Sequence, residues 1–156
     1  MAMRLPGGVR TADEFWDMLV NKKEGRCPVP ENLFNIKEWY HPSGRPGTLA
    51  STHGHFIHQD LGHFDREFFS MSPNDASKLD PQQRLLLEVV WECMENAGQT
   101  DWQGKNIGCY VGTFGEDWLE KTYKDPQTRM EGKTVAYMDF AIANRISHAY
   151  DLTGPR

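Results

Sequence analysis

Leu79-Asp-Pro-Gln-Gln-Arg-Leu-Leu-Leu-Glu-Val-Val-Trp-Glu-Cys-Met-Glu-Asn-Ala-Gly98 is the stretch around which the chain is organised. Asp80 can accept hydrogen bonds from the free amides of a first helical turn. Pro81 suits the next position, where its missing N–H would have had no partner. Gln83, three residues after Asp80, is placed to reach back as in a capping box. Leu86, Val90, Cys93 and Ala97 recur at helical spacing, with Leu87, Trp91 and Met94 beside them. The polar residues Arg84, Glu88, Glu92 and Glu95 form one narrow stripe. Gly98 tolerates a left-handed backbone and is a natural stop. A helix apolar around most of its circumference is expected to be largely buried.

Immediately before this helix, Ser72 reads as the cap of another, with Pro73 first inside it. Phe64, Phe68, Phe69 and Met71 supply dense apolar anchors. After it, Gln99 to Lys105 reads as a polar connection. Asn106-Ile-Gly-Cys-Tyr-Val-Gly-Thr113 is the best strand candidate, with Ile107, Cys109 and Val111 on one face and Tyr110 on the other. Glu116 to Tyr123 suits a helix, and Thr134 to Tyr150 suits an amphipathic one with Phe140, Ala143, Ile146 and Ala149 inward.

Nearer the N-terminus, Pro6-Gly7-Gly8 marks a turn. Thr11-Ala-Asp-Glu14 is a capping box opening a helix with Phe15, Trp16, Leu19 and Val20 on one face, fading toward Gly25. Arg26 to Pro30 is expected to be extended, Leu33 to Tyr40 to make one helical turn, and Ser51 to Ile57 to form a short strand.

Composition bounds the function. The 156 residues carry a net charge of −5, with 25% charged and 38% hydrophobic residues. This suits one globular domain spanning residues 1–156 and argues against a nucleic-acid surface. No apolar run has the length of a membrane span. Cys27, Cys93 and Cys109 are three and widely spaced, unlike a disulfide framework, so a reducing, cytoplasmic setting is expected. Residues that could carry chemistry are few. His53, His55, His58 and His63 crowd one region, and the first two share a face if that segment is a strand. They lack the spacing of a closed metal set, and a polar histidine-rich loop is the plainer reading. Cys109 invites comparison with a nucleophile, but nothing near it in sequence is electropositive. Gly112-x-x-Gly115 lacks the Lys-Ser/Thr ending of a phosphate loop.

One resemblance covers the whole chain. Arg4-Leu-Pro-Gly-Gly8, Glu14-Phe-Trp-Asp17, Phe64-Asp65, Phe68-Phe69, Ser72-Pro73, Asp80-Pro-Gln-Gln-Arg-Leu-Leu-Leu-Glu88, Glu95-Asn-Ala-Gly98, Val111-Gly-Thr113, Ala143-Asn-Arg-Ile-Ser147 and Asp151-Leu-Thr-Gly-Pro155 occur in the same order in β-ketoacyl synthases. The chain resembles in particular the ketosynthase domain of type I polyketide synthases of the fungal, highly reducing branch. The resemblance implies an α/β, thiolase-like fold and the decarboxylative condensation of acyl and malonyl thioesters. It also implies phosphopantetheine-bound substrates on an acyl carrier protein, and a dimer.

In the family an apolar strand precedes the Arg4–Gly8 segment, and a Ser and then Thr-Ala-Cys-Ser-Ser follow Gly154-Pro155. Neither segment, nor those bearing the two histidines, lies within these 156 residues. The resemblance therefore implies an incomplete N-terminal half, first strand missing, inactive by itself and unstable when isolated. It assigns no catalytic, cofactor-binding or metal residue to any position here. Cys93, Cys109 and His148 fall at non-catalytic family positions. The competing expectation is a non-catalytic module that pairs with a full-length ketosynthase or a carrier protein.

Overall fold

The structure is a computed structural model that describes residues 1–115, 117–124, 138 and 140–156. In chain order the elements are α1 (Ala12–Val20), β1 (Arg26–Pro28), α2 (Ile36–Trp39), β2 (His53–His55), α3 (Pro73–Lys78), α4 (Pro81–Asn96), α5 (Asp117–Lys124) and α6 (Phe140–Ala149). They fall into two compact units, Met1–Asp60 and Leu61–Arg156.

In the first unit, α1 opens on the expected capping box. Thr11 Oγ1 accepts from the Glu14 amide at 3.2 Å, and Glu14 Oε2 accepts from the Thr11 amide at 3.0 Å. The helix ends before Gly25. Lys22 N–H bonds to the Leu19 carbonyl and Lys23 N–H to that of Met18, and Lys22 sits at φ 52. This pair of bonds closes the helix with a left-handed residue, a position that glycine fills without steric cost. Gly25 instead lies against Pro6, where a Cβ would come within 2.8 Å of the Pro6 carbonyl oxygen. Lys22→Gly is therefore expected to stabilise the chain by about 0.5–1 kcal/mol, relief of the left-handed strain being partly offset by glycine's greater unfolded entropy. A urea midpoint that fails to rise would refute this.

The apolar face of α1 is not buried within its unit; Trp16 is 66% exposed. The extended segment from Arg26 pairs antiparallel with β2, aligning Arg26 with His55, Cys27 with Gly54 and Pro28 with His53. One helical turn, α2, forms between them with Asn35 as its cap, and Asn35 Oδ1 accepts from the Lys37 amide.

In the second unit, Ser72 and Asp80 cap α3 and α4, each with proline in the first turn. At the far end of α4, Gly98 adopts φ 65, and the Gly98 and Gln99 amides bond to the Glu95 and Met94 carbonyls. Of the apolar residues expected on α4, Leu86 and Val90 pack partly buried against the core together with Leu87, Trp91 and Met94, while Ala97 is exposed. Leu87 and Gln83 are its fully buried residues, and Trp91 and Met94 continue the same line. Most of the rest of the helix is half-buried rather than enclosed; among the described residues the helix that packs along it is α6.

The core of this unit joins Leu87 to Trp102, Ile142, Ile146, Tyr150 and Leu152. Trp102 thus sits in the core, although its segment reads as a polar connection. On α6 the inward residues are Ala141, Ile142, Ile146 and Ser147; Phe140 and Ala149, expected inside, are exposed. The burial stripe follows the Ile142–Ile146 pair, four residues apart, rather than the three-residue steps of the expected set. Residues 134–137 and 139 of that predicted helix, and Glu116 of the one before it, lie outside the described residues.

The segment 106–113 forms no strand. Its period-two pattern is nevertheless present: Ile107, Cys109 and Val111 pack toward the core while Gly108 and Tyr110 face outward. A strand needs a hydrogen-bonded neighbour along its length. Among the described residues its backbone neighbour is the short piece 153–155, through Thr153 N–H to the Lys105 carbonyl and Cys109 N–H to the Pro155 carbonyl, at 3.0 and 2.8 Å.

Candidate functional site

The start of α4 is where polar side chains are buried together. Asp80 caps the helix by accepting from the Gln82 amide at 2.7 Å, not in the reciprocal pattern expected with Gln83. The Gln83 side chain turns inward, where its Oε1 accepts from Arg145 Nε on α6 at 2.6 Å. Gln82 Oε1 accepts from the Thr113 hydroxyl at 2.9 Å. The Asp-Pro-Gln-Gln block therefore ties the helix start to the segment after Val111 and to α6 at once. Arg84 stands one turn after Asp80, with its Nε buried and without a partner among the described residues. Sequence spacing signalled the Asp80 cap. Nothing local signals Arg145, which lies 62 residues beyond Gln83.

The charges in this seam are shaped by burial. Loss of water pushes the Asp80 carboxyl above its ordinary range, opposed by the Gln82 N–H and by Arg84. Burial lowers the Arg84 and Arg145 guanidiniums, opposed by Asp80 and Asp75 respectively. Because the folded Asp80 holds its proton to higher pH than the unfolded chain, its contribution to stability falls as pH rises through that interval. Asp80→Asn keeps a good cap and removes the buried charge. It is expected to leave stability at neutral pH equal or higher and to abolish that acidic-range slope, whereas Asp80→Ala should cost about 1 kcal/mol. A loss of stability in Asp80→Asn at neutral pH as large as in Asp80→Ala would contradict this account.

The other candidate residues are spread out. His53 and His55 share a face of β2, both exposed, opposite Pro28 and Arg26. The His53 Nδ1 lies 3.0 Å from the Thr52 hydroxyl, and His58 Nε2 lies 4.0 Å from Cys27 Sγ. Among the described residues no three His, Cys, Asp or Glu side chains converge in a group able to hold a metal. Cys109 is half-buried, and desolvation pushes its thiol up, with Ser147 nearby partly opposing the rise. The Ser147 hydroxyl is buried without a hydrogen-bond partner of good geometry among the described residues, so that thiol contact is a loose one. A thiol held in its neutral form is a poor nucleophile. Gly112 to Gly115 are exposed and open, and Phe114 is 99% exposed. The arrangement is a structural seam joining helix, loop and core. No described helix is long and apolar enough to cross a membrane.

These elements define an α/β fragment of the thiolase-like class, helices packed beside an extended, alternating segment. The chain belongs to the beta-ketoacyl synthase family, whose N-terminal domain matches residues 1–156. It is similar to the highly reducing polyketide synthase gloL of Glarea lozoyensis, at 56% identity over 99% of this chain and 6% of that protein. It is 51% identical to the highly reducing polyketide synthase FUM1 of Gibberella moniliformis, with the same coverage of each. Among solved structures it resembles the ketosynthase from module 6 of the bacillaene synthase of Bacillus subtilis 168, with TM-score 0.76, 26% identity, and 97% and 24% of the two chains covered. The oxazolomycin ketosynthase domain OzmH KS7 of Streptomyces albus JA3453 aligns with TM-score 0.70 and 27% identity over 97% of this chain and 26% of that one. The chain thus spans 6% of the length of these polyketide synthases and about a quarter of the ketosynthase chains.

Proposed function

We propose that these residues build the front of a ketosynthase domain in a highly reducing polyketide synthase. The intact domain would join an acyl thioester to a malonyl thioester with loss of carbon dioxide, leaving a β-ketoacyl thioester. The substrates would be carried on the phosphopantetheine arm of an acyl carrier protein. A second ketosynthase would be the dimer partner, and the cytoplasm the setting. The observation that carries this reading is the ordered likeness along 97% of the chain to a solved ketosynthase, at TM-score 0.76.

Covalent condensation needs a thiolate beside a base and donors aimed at the oxyanion. The reading assigns those roles to family segments outside these 156 residues. It assigns to Asp80, Gln82, Gln83 and Arg145 the task of holding α4, α6 and the segment at Thr113 in register. Incubation of the chain with a labelled acyl thioester, followed by intact mass and peptide mapping, is the test. The expected result is only slow, substoichiometric labelling shared by Cys27, Cys93 and Cys109, which are all free and partly accessible. Stoichiometric acylation at one site, abolished by Cys109→Ala and accompanied by turnover, would overturn the assignment.

A further inference from the structure

Of the nine residues of α1, Met18 is the one that is half-buried; the others are exposed. Phe15, Trp16, Leu19 and Val20 share one side of the helix and are 37–66% exposed. Contiguous apolar surface of this kind marks a contact site. The order of its residues is symmetric. Phe15 and Val20 lie equally far to either side of the point midway between Asp17 and Met18, and so do Trp16 and Leu19. Farther out, Asp13 and Lys22 lie equally far from the same point and carry opposite charges. Asp13 is on the side of Trp16 and Val20, which follow it by three and seven residues. The other charges of the helix are engaged. Asp17 pairs with Lys23 at 2.6 Å, and Glu14 accepts from the Arg10 and Thr11 amides. Asp13 and Lys22 have no ion-pair partner among the described residues.

We propose that the apolar face of α1 binds the same face of a second copy of this chain, the two helices running antiparallel about a two-fold axis. The axis crosses the helix between Asp17 and Met18. Trp16 of each copy meets Leu19 of the other, Phe15 of each meets Val20 of the other, and Asp13 of each meets Lys22 of the other. A two-fold contact must be self-complementary, and this pattern of residues meets that condition in both apolar packing and charge. The antiparallel direction also brings the positive N-terminal end of each helix dipole beside the negative C-terminal end of the other. The contact is separate from the ketosynthase pairing of the proposed function and does not rest on it.

The test is sedimentation equilibrium of the chain from about 5 to about 500 µM at low ionic strength, where surface charges are least screened. The expected result is a reversible monomer–dimer equilibrium with a dissociation constant on the order of 100 µM, as suits a contact smaller than the roughly 1,200 Å2 of a standard interface. Trp16→Lys should weaken it about tenfold or more. Asp13→Lys alone and Lys22→Glu alone each set two like-charged pairs across the axis, and each should weaken it about tenfold. An equimolar mixture of those two variants should restore it, because every pair across the axis is then of opposite charge. Trp39→Lys, at an exposed tryptophan outside α1, should leave it unchanged. All four positions are exposed, so the substitutions spare the core. A chain that stays monomeric over this range overturns the proposal and leaves the α1 face to a different partner. Association that ignores the charge reversals, or that mixing fails to restore, also overturns it, since non-specific aggregation or a pairing elsewhere on the chain would behave in that way.

Discussion

Leu87→Ala is expected to lower stability by about 3–4 kcal/mol, the upper part of the range for truncating a buried leucine. Leu87 is 0% exposed and touches the cluster of Trp102, Ile142, Ile146, Tyr150 and Leu152. Truncation removes the apolar contacts and leaves a void, and the cost depends on how far the neighbours can close it. They can close it little. The rings of Trp91, Trp102 and Tyr150 lock against one another, with centroids 5.2–6.4 Å apart. Domains are stable by only about 5–15 kcal/mol, so this one change would remove a large part of the margin. Urea unfolding with an unchanged slope is the measurement. Leu33→Ala, at a residue 55% exposed, is the control and should move the midpoint little. A loss below about 1 kcal/mol for Leu87→Ala would show that the core is centred elsewhere.

Gly154→Ala is expected to cost about 3 kcal/mol or more, through backbone rather than side-chain packing. A Cβ at this position would lie 2.3 Å from the Ile107 carbonyl carbon, 2.4 Å from its oxygen and 2.6 Å from the Gly108 nitrogen. Backbone atoms cannot rotate aside, so the two segments must part. The Cys109 amide then loses the Pro155 carbonyl, and the Thr153 amide loses that of Lys105. Ile107, Cys109 and Val111 lose their hold on the core with them. Faster hydrogen exchange at the Cys109 amide, together with a lower urea midpoint, is the expected pair of signs. Gly112→Ala is the matched control, since nothing lies within 4 Å of a Cβ there, and it should be nearly neutral. Equal effects of the two substitutions would rule out the steric account.

The ends of helices were legible because each is settled within a few residues. Thr11 with Glu14, Ser72 with Asp75, Asp80 with Pro81, and Gly98 after Ala97 each satisfy the free amides or carbonyls of one turn. Lys22 shows the limit of that reading. The left-handed position at the end of α1 is occupied by a residue that does not advertise it, so Gly25 drew the prediction.

The family order of motifs, and with it the thiolase-like class, was also readable from sequence alone. What the sequence could not contain is the identity of partners far away in the chain. The inward line of α4 passes through Gln83 and Leu87 because Arg145 on α6 and Tyr150 just after it arrive 62 and 63 residues later. Trp102 is buried in an otherwise polar stretch because the core of the second unit closes over it. Residues 106–113 keep the alternation of a strand, written in their side chains, without becoming one. Alternation is a property of the segment, whereas a ladder requires a second backbone alongside, and that is decided only by tertiary structure.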